Sequence, residues 1–139
     1  MSEVRAAIVL SNAQDRREQA AGVRESKDVR CANIDALVDT WAVLMLLPQD
    51  LVETLGLPKT GKAIVALAND EKIELEVAED LRVRVGGREW TTDCLVGPPP
   101  CEPLLGHIVM ERLDLTVDPL RGTIGPRPES PRLPSLKMK

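Results

Sequence analysis

The stretch Ala36-Leu37-Val38-Asp39-Thr40-Trp41-Ala42 decides how this chain is read. Three apolar residues run directly into an acid and a hydroxyl, so a strand delivers a carboxylate to the loop at its end. Partial alternation carries that strand back to Val29. Just downstream, Val43-Leu44-Met45-Leu46-Leu47 is a continuous apolar run of strand length. Pro48 then opens a short helix at the first helical position, where its missing N–H costs nothing, and Gln49-Asp50 supply acceptors near the N-terminal amides. Leu51, Val52 and Leu55 give that helix an apolar side, and Gly56 ends it as a C-cap glycine.

Outward from this centre the chain is mostly strand. Val4 to Leu10 reads as a strand. Ser11 to Asp28 is polar and lacks an apolar stripe, which predicts a long loop or hairpin excursion with room for one helical turn. Ala63 to Ala68 and Ile73 to Val77 flank Asn69-Asp70-Glu71-Lys72, a hairpin signal. Leu81 to Val85, Gly86-Gly87 and Glu89 to Val96 read as a second hairpin. Gly97-Pro98-Pro99-Pro100 is a rigid turn. Leu104-Leu105-Gly106 precedes a helix over Ile108 to Leu113. Leu115-Thr116-Val117 and Gly122-Thr123-Ile124 form a third hairpin through Asp118-Pro119. The expectation is one mostly β domain over residues 1–125, a small sandwich or barrel, with a Pro-rich, extended tail over 126–139.

Composition narrows the function. A chain of 139 residues has the usual size of one domain. It has no Phe, no Tyr and two Trp (Trp41 and Trp90), so its core is aliphatic. With 18 basic and 22 acidic residues the net charge is -4, which argues against a nucleic-acid partner. Cys31, Cys94 and Cys101 are odd in number and none are at Cys-x-x-Cys spacing; with His107 the sole histidine, neither a disulfide framework nor a metal site is expected. No N-terminal apolar segment has the length of a signal peptide or membrane span, so the expected setting is cytoplasmic, with no membrane partner.

Three segments in order are similar to the retropepsin family of aspartic proteases. The first is Ala36-Leu37-Val38-Asp39-Thr40-Trp41-Ala42, against the family's apolar strand feeding Asp-Thr-Gly-Ala. The second is Leu46-Leu47-Pro48 with a short helix ending at Leu55-Gly56-Leu57. The third is Cys94-Leu95-Val96-Gly97-Pro98-Pro99-Pro100 leading to Leu104-Leu105-Gly106. The resemblance covers roughly residues 30 to 125 and is closest to small bacterial stand-alone members, whose tails resemble Pro128-Glu129-Ser130-Pro131. It implies a retropepsin-like closed β barrel, with one short helix before Gly56 and one after Gly106. It implies an aspartic endopeptidase without cofactor, acting on a peptide or protein substrate. Asp39 is the catalytic acid by this resemblance. Thr40 would hydrogen-bond across to a second subunit, Ala42 would line the floor, and Leu105 and Gly106 would pack beneath the loop. Asn69 and Asp70 would sit at the tip of a flap, and terminal strands would build a dimer interface.

Chemistry explains why a dimer follows. Peptide hydrolysis without a metal needs a base to activate water and an acid to protonate the substrate. Two close carboxylates sharing one proton do both, as is known for aspartic proteases. This chain offers one Asp-Thr at the end of such a strand. A two-fold axis would bring Asp39 beside Asp39 of a second copy, so a homodimer is expected.

Trp41 stands where the family has glycine. Its indole would occupy space that the glycine leaves beside the dyad, which opens a second reading: a catalytically silent dimer of this fold that binds peptide or regulates a partner. A purely structural β domain is the third. His107 reads as a surface residue at a helix start, with a hydrogen-bonding role near the interface as its alternative. Asp35 would share a strand face with Asp39 but lacks the following loop, and reads as a solvated residue. Trp90 reads as hairpin packing, with a substrate-pocket wall as its alternative. Cys94 and Cys101 flank the proline turn, which leaves a regulatory disulfide open as a minor alternative.

Overall fold

Along Arg5–Asn12 (β1), Ala6, Ile8 and Leu10 are buried at every second position, the period-two mark of a strand with one face in a core. The computed structural model describes residues 3–138. After β1 come α1 (Ala13–Ala20), a 3-10 turn (Ser26–Asp28), β2 (Cys31–Val38), β3 (Met45–Pro48) and α2 (Gln49–Leu55). Then follow β4 (Lys59–Ala66), β5 (Lys72–Val85), β6 (Arg88–Gly97), β7 (Leu104–Leu105), α3 (His107–Arg112), β8 (Leu115–Asp118) and β9 (Thr123–Pro126). The protein is mostly β, and the short helices before Gly56 and after Gly106 are both present.

Seven strands form one sheet in the order β1-β2-β7-β3-β6-β5-β4, and β1 also pairs with β5. The pairing thus returns on itself as a ring, with β4 attached outside it on β5. Strands β8 and β9 form a separate pair. The ring closes through β7, two residues long, which lies between β2 and β3. Leu104 and Leu105 run parallel to Leu37 and Val38, and Leu104 faces Leu46 antiparallel. The ring encloses an aliphatic core that includes Ile8, Leu10, Met45, Leu47, Leu81 and Leu105, with Val52 and Leu55 of α2 and Val109 and Leu113 at α3 packed onto it. Trp90 packs against this core from β6, and the Arg112 guanidinium lies 3.6 Å from its ring centroid.

Four expectations are corrected. Ser11 to Asp28 is a loop only over its second part, 21–28: β1 runs on to Asn12, and α1 has eight residues. Asn12 caps that helix by accepting from the Asp15 amide at 3.0 Å, and its own amide donates to Leu55 O at 2.9 Å, tying the start of α1 to the end of α2. Pro48 ends β3 and caps α2 rather than opening it. Val43 and Leu44 belong to the loop before β3. Lastly, β5 is one strand of 14 residues serving both hairpins, because a register shift between Ala78 and Leu81 absorbs the polar Glu79-Asp80 step. Gly56 ends α2 as expected, with φ 64°.

Candidate functional site

Strand β2 ends at Val38, and Asp39 opens the loop that returns to β3. Both sides of this loop are held by the segment that contains β7. The Asp39 amide donates to Leu105 O at 3.1 Å, on one side. On the other, the first amides of α3 donate back into the loop: His107 N to Ala42 O at 2.7 Å, and Ile108 N to Val43 O at 3.1 Å. Helix amides at an N-terminus have no partner within the helix, so the loop carbonyls serve as its cap. Gly106 sits between these two sets of bonds. A Cβ there would lie 2.4 Å from Leu44 O and 3.0 Å from Val43 O, so only glycine allows this approach.

Within the loop, the Asp39 carboxylate accepts from the Trp41 amide at 3.0 Å, and the Ala42 amide donates to Asp39 O at 3.2 Å. This turn fixes the carboxylate at the loop's entrance while leaving it half-exposed. Thr40 is exposed. Trp41 is 94% exposed, and Val43 and Ile108 are exposed as well. A cavity of about 860 Å³ opens beside Thr40, bounded by His107, Ile108, β8 and Ser135 to Lys137. His107 is exposed at the start of α3, 3.1 Å from Glu111.

The structure therefore brings Asp39, Thr40, Trp41, Ala42, Leu105 and Gly106 together. It does not join Asn69 and Asp70 to them: the hydrogen bonds recorded at that hairpin tip are internal, from Glu71 N to Asn69 and from Asp70 N to Leu67 O. Asp70 adopts φ 67°, the left-handed turn position that Asp tolerates. Ala63 faces Leu75 and Val65 faces Ile73 on one side of the hairpin, giving it an apolar face. Asp35 is exposed and lies 3.4 Å from Arg5, a solvated ion pair. The three cysteines are free, and burial pushes the Cys94 thiol up to about 12, which keeps it protonated and unreactive.

Sequence reading missed a polar centre behind α3. Asp114, in the left-handed turn that follows the helix (φ 54°), is buried. It accepts from the Arg127 guanidinium, the Ser130 hydroxyl and the Ser135 amide, and those donors hold its carboxyl well below the usual carboxylate range. Arg88, also buried, donates to Leu113 O at 2.8 Å, to Asp114 O at 3.1 Å and to Ser130 O. The tail turns at 128–129, where the Ser130 amide donates to Arg127 O at 2.9 Å, and it is pinned to the body.

A second cavity, of about 640 Å³ beside α1, contains Arg16, Arg17 and Arg82. Arg17 pairs with Asp80 at 3.1 Å and Arg82 with Glu89 at 3.0 Å, so two of its three cations are already matched. Among the described residues no group of three or more His, Cys, Asp or Glu is placed to hold a metal ion, and no helix is long and apolar enough to cross a membrane. No protein-family model matches the chain, and no curated protein matches its sequence.

Proposed function

We propose that this chain is one half of a retropepsin-like aspartic endopeptidase, whose active site forms when two copies bring their Asp39 residues together. The observation that carries the reading is the holding of the Asp39 loop. One inserted segment grips it from both sides, through Leu105 O, Gly106 and the first amides of α3. Such a loop presents a carboxylate with little freedom, as a dyad requires. Two carboxylates about 3 Å apart cannot both ionise, so one keeps a proton. The ionised member removes a proton from water, which attacks the peptide carbonyl, and the protonated member donates to the carbonyl oxygen. Exposed Trp41 and Val43 in the loop, and exposed Ile108, whose amide bonds to Val43 O, support pairing with a second copy. The β4–β5 hairpin, attached outside the ring with one apolar face, suits a lid over an extended peptide.

The test is to incubate the protein with a diverse peptide mixture from acidic to neutral pH and to read new termini by mass spectrometry. Asp39→Asn is the control, because asparagine keeps an oxygen for the Trp41 amide. Cuts that fall by about 10²–10⁴-fold in Asp39→Asn, at unchanged thermal stability, are the expected result. Cuts that persist in this variant would refute the reading.

One observation favours the silent dimer instead. The Trp41 indole extends into solvent from the residue two beyond Asp39, where a paired copy and a substrate backbone both have to come. On that reading the parent chain cuts nothing, and Trp41→Gly gains activity without a stability change beyond about 0.5 kcal/mol, as for an exposed residue.

A further inference from the structure

The tail after β9 has no regular structure, yet it is fastened to the body at a buried point. Arg127, Ser130 and the Ser135 amide all converge on the Asp114 carboxylate, the last at 2.9 Å, and Arg88 holds Ser130 O from the other side. Charge-assisted bonds of this kind are the stronger ones, and Asp114 and Ser130 are both buried. The clamp sets where the following residues go. Ser135, Leu136 and Lys137 border the cavity of about 860 Å³ whose other walls include Thr40, His107 and Ile108.

Thr40 is the neighbour of Asp39. Two Asp39 carboxylates that share a proton lie about 3 Å apart, so the partner's loop has to come within a few ångström of Thr40. The end of the tail borders that same space. We infer that residues 127–137 form a strap that competes with a second copy of this chain for the pairing face: seated, it favours the single chain, and the dimer forms as its end moves away. This inference rests on the two-copy reading above.

The strap is built to be displaced. It is held at one polar centre and by no ladder. Leu133 is 76% exposed, so the strap buries little apolar surface that a larger interface would have to replace. The clamp's last bond is at Ser135, and Leu136 reaches on to the cavity with 42% of its surface exposed. Each partner whose pairing-competent state is only a fraction of the population raises the apparent dissociation constant by the inverse of that fraction, so for two identical chains the factor enters squared.

The experiment compares three full-length proteins by analytical ultracentrifugation over a dilution series: the parent, the double variant Arg127→Gln/Ser130→Ala, and Leu136→Glu. The double variant opens the clamp. Leu136→Glu leaves the clamp intact and replaces the apolar side chain that borders the cavity by a charged one, so it remains informative if the double variant folds poorly. Both are expected to dimerise about a hundredfold more tightly than the parent, as when the strap is seated in about nine of ten chains and both members of a pair must release it. Exchange of the Ser135 amide in the parent is expected to speed up as concentration drives pairing, because its bond to Asp114 opens. Folded variants that pair no more tightly than the parent, with Ser135 exchange independent of concentration, would overturn the strap while leaving the two-copy reading intact. If no protein of the set pairs at any concentration, the two-copy reading falls and the strap falls with it.

Discussion

Gly106 shows how much one missing side chain can hold. Its backbone is extended, with φ -90°, so any residue could adopt the conformation; the constraint is space. Gly106→Ala would put a methyl group 2.4 Å from Leu44 O and force the Asp39 loop away from its support. We expect a loss of about 1–3 kcal/mol, measured by denaturant unfolding, as for overpacked interiors. On the proposed function, cleavage is expected to fall by more than the stability loss explains, since the displaced loop carries Asp39. Gly125→Ala is the control: no atom lies within 4 Å of its Cβ position, so its unfolding midpoint should stay close to the parent's. Gly106 and Asp39 were legible in the sequence because each sits in a short, ordered motif. Asp114, Arg88 and Asn12 were not. Their partners lie far along the chain, and a lone polar residue in a turn looks the same whether it is solvated or buried in a network.

At the scale of the elements, α1 was the clearest miss, for a physical reason. Its buried residues are Ala13 and Asp15, so no apolar stripe marks its inner face. The signal available was Asn12 at the cap with an acid three residues on. Asp15 is fully buried and binds Arg30 through both oxygens, at 2.8 and 2.9 Å, which fastens α1 to the entry of β2. Arg30 pulls the Asp15 carboxyl down to about 2, against the opposing effect of burial. A folded pKa below the unfolded one gives stability that is present above the unfolded value. It is lost as pH falls from about 4 through about 2. Asp15→Asn should cost about 1.5–3 kcal/mol at neutral pH, and the gap to the parent in an unfolding titration should close over that acid window. The strands were easier to read because alternation announces them, although the break at Glu79-Asp80 made one long β5 look like two. Among the described residues, strand β4 has β5 as its sole neighbour and is exposed along most of its length. Its amides should therefore exchange with solvent faster than those of β6, which is paired on both sides; equal protection in the two strands would argue against a movable lid.

For the whole molecule, most strands were legible and a closed sheet was what the resemblance implied, but β7 and the strand order were not. Nothing in Leu104-Leu105 announces that two residues will separate β2 from β3, because pairing partners are a property of the closed sheet. The proposed chemistry has a consequence at this scale. If the site needs two copies, the rate per chain must fall on dilution, and the total rate approaches second-order dependence on chain concentration well below the dissociation constant. A dilution series with a fluorogenic peptide would measure this. A rate that stays proportional to concentration down to the limit of detection would exclude a shared site.

The insertion of β7 also orders events in time. Synthesis releases the chain from its N-terminus, and domains fold as their residues become available. Strands β1 to β6 can leave the ribosome while the gap between Leu37 and Leu46 still lacks Leu104. Pairing across so long a sequence separation comes late and slowly. The Asp39 loop acquires its support only when residues 104–108 arrive, so a nascent or interrupted chain carries its carboxylate on an unbraced loop. The same wedge that gives the loop its rigidity thus keeps it unassembled until most of the protein has been made.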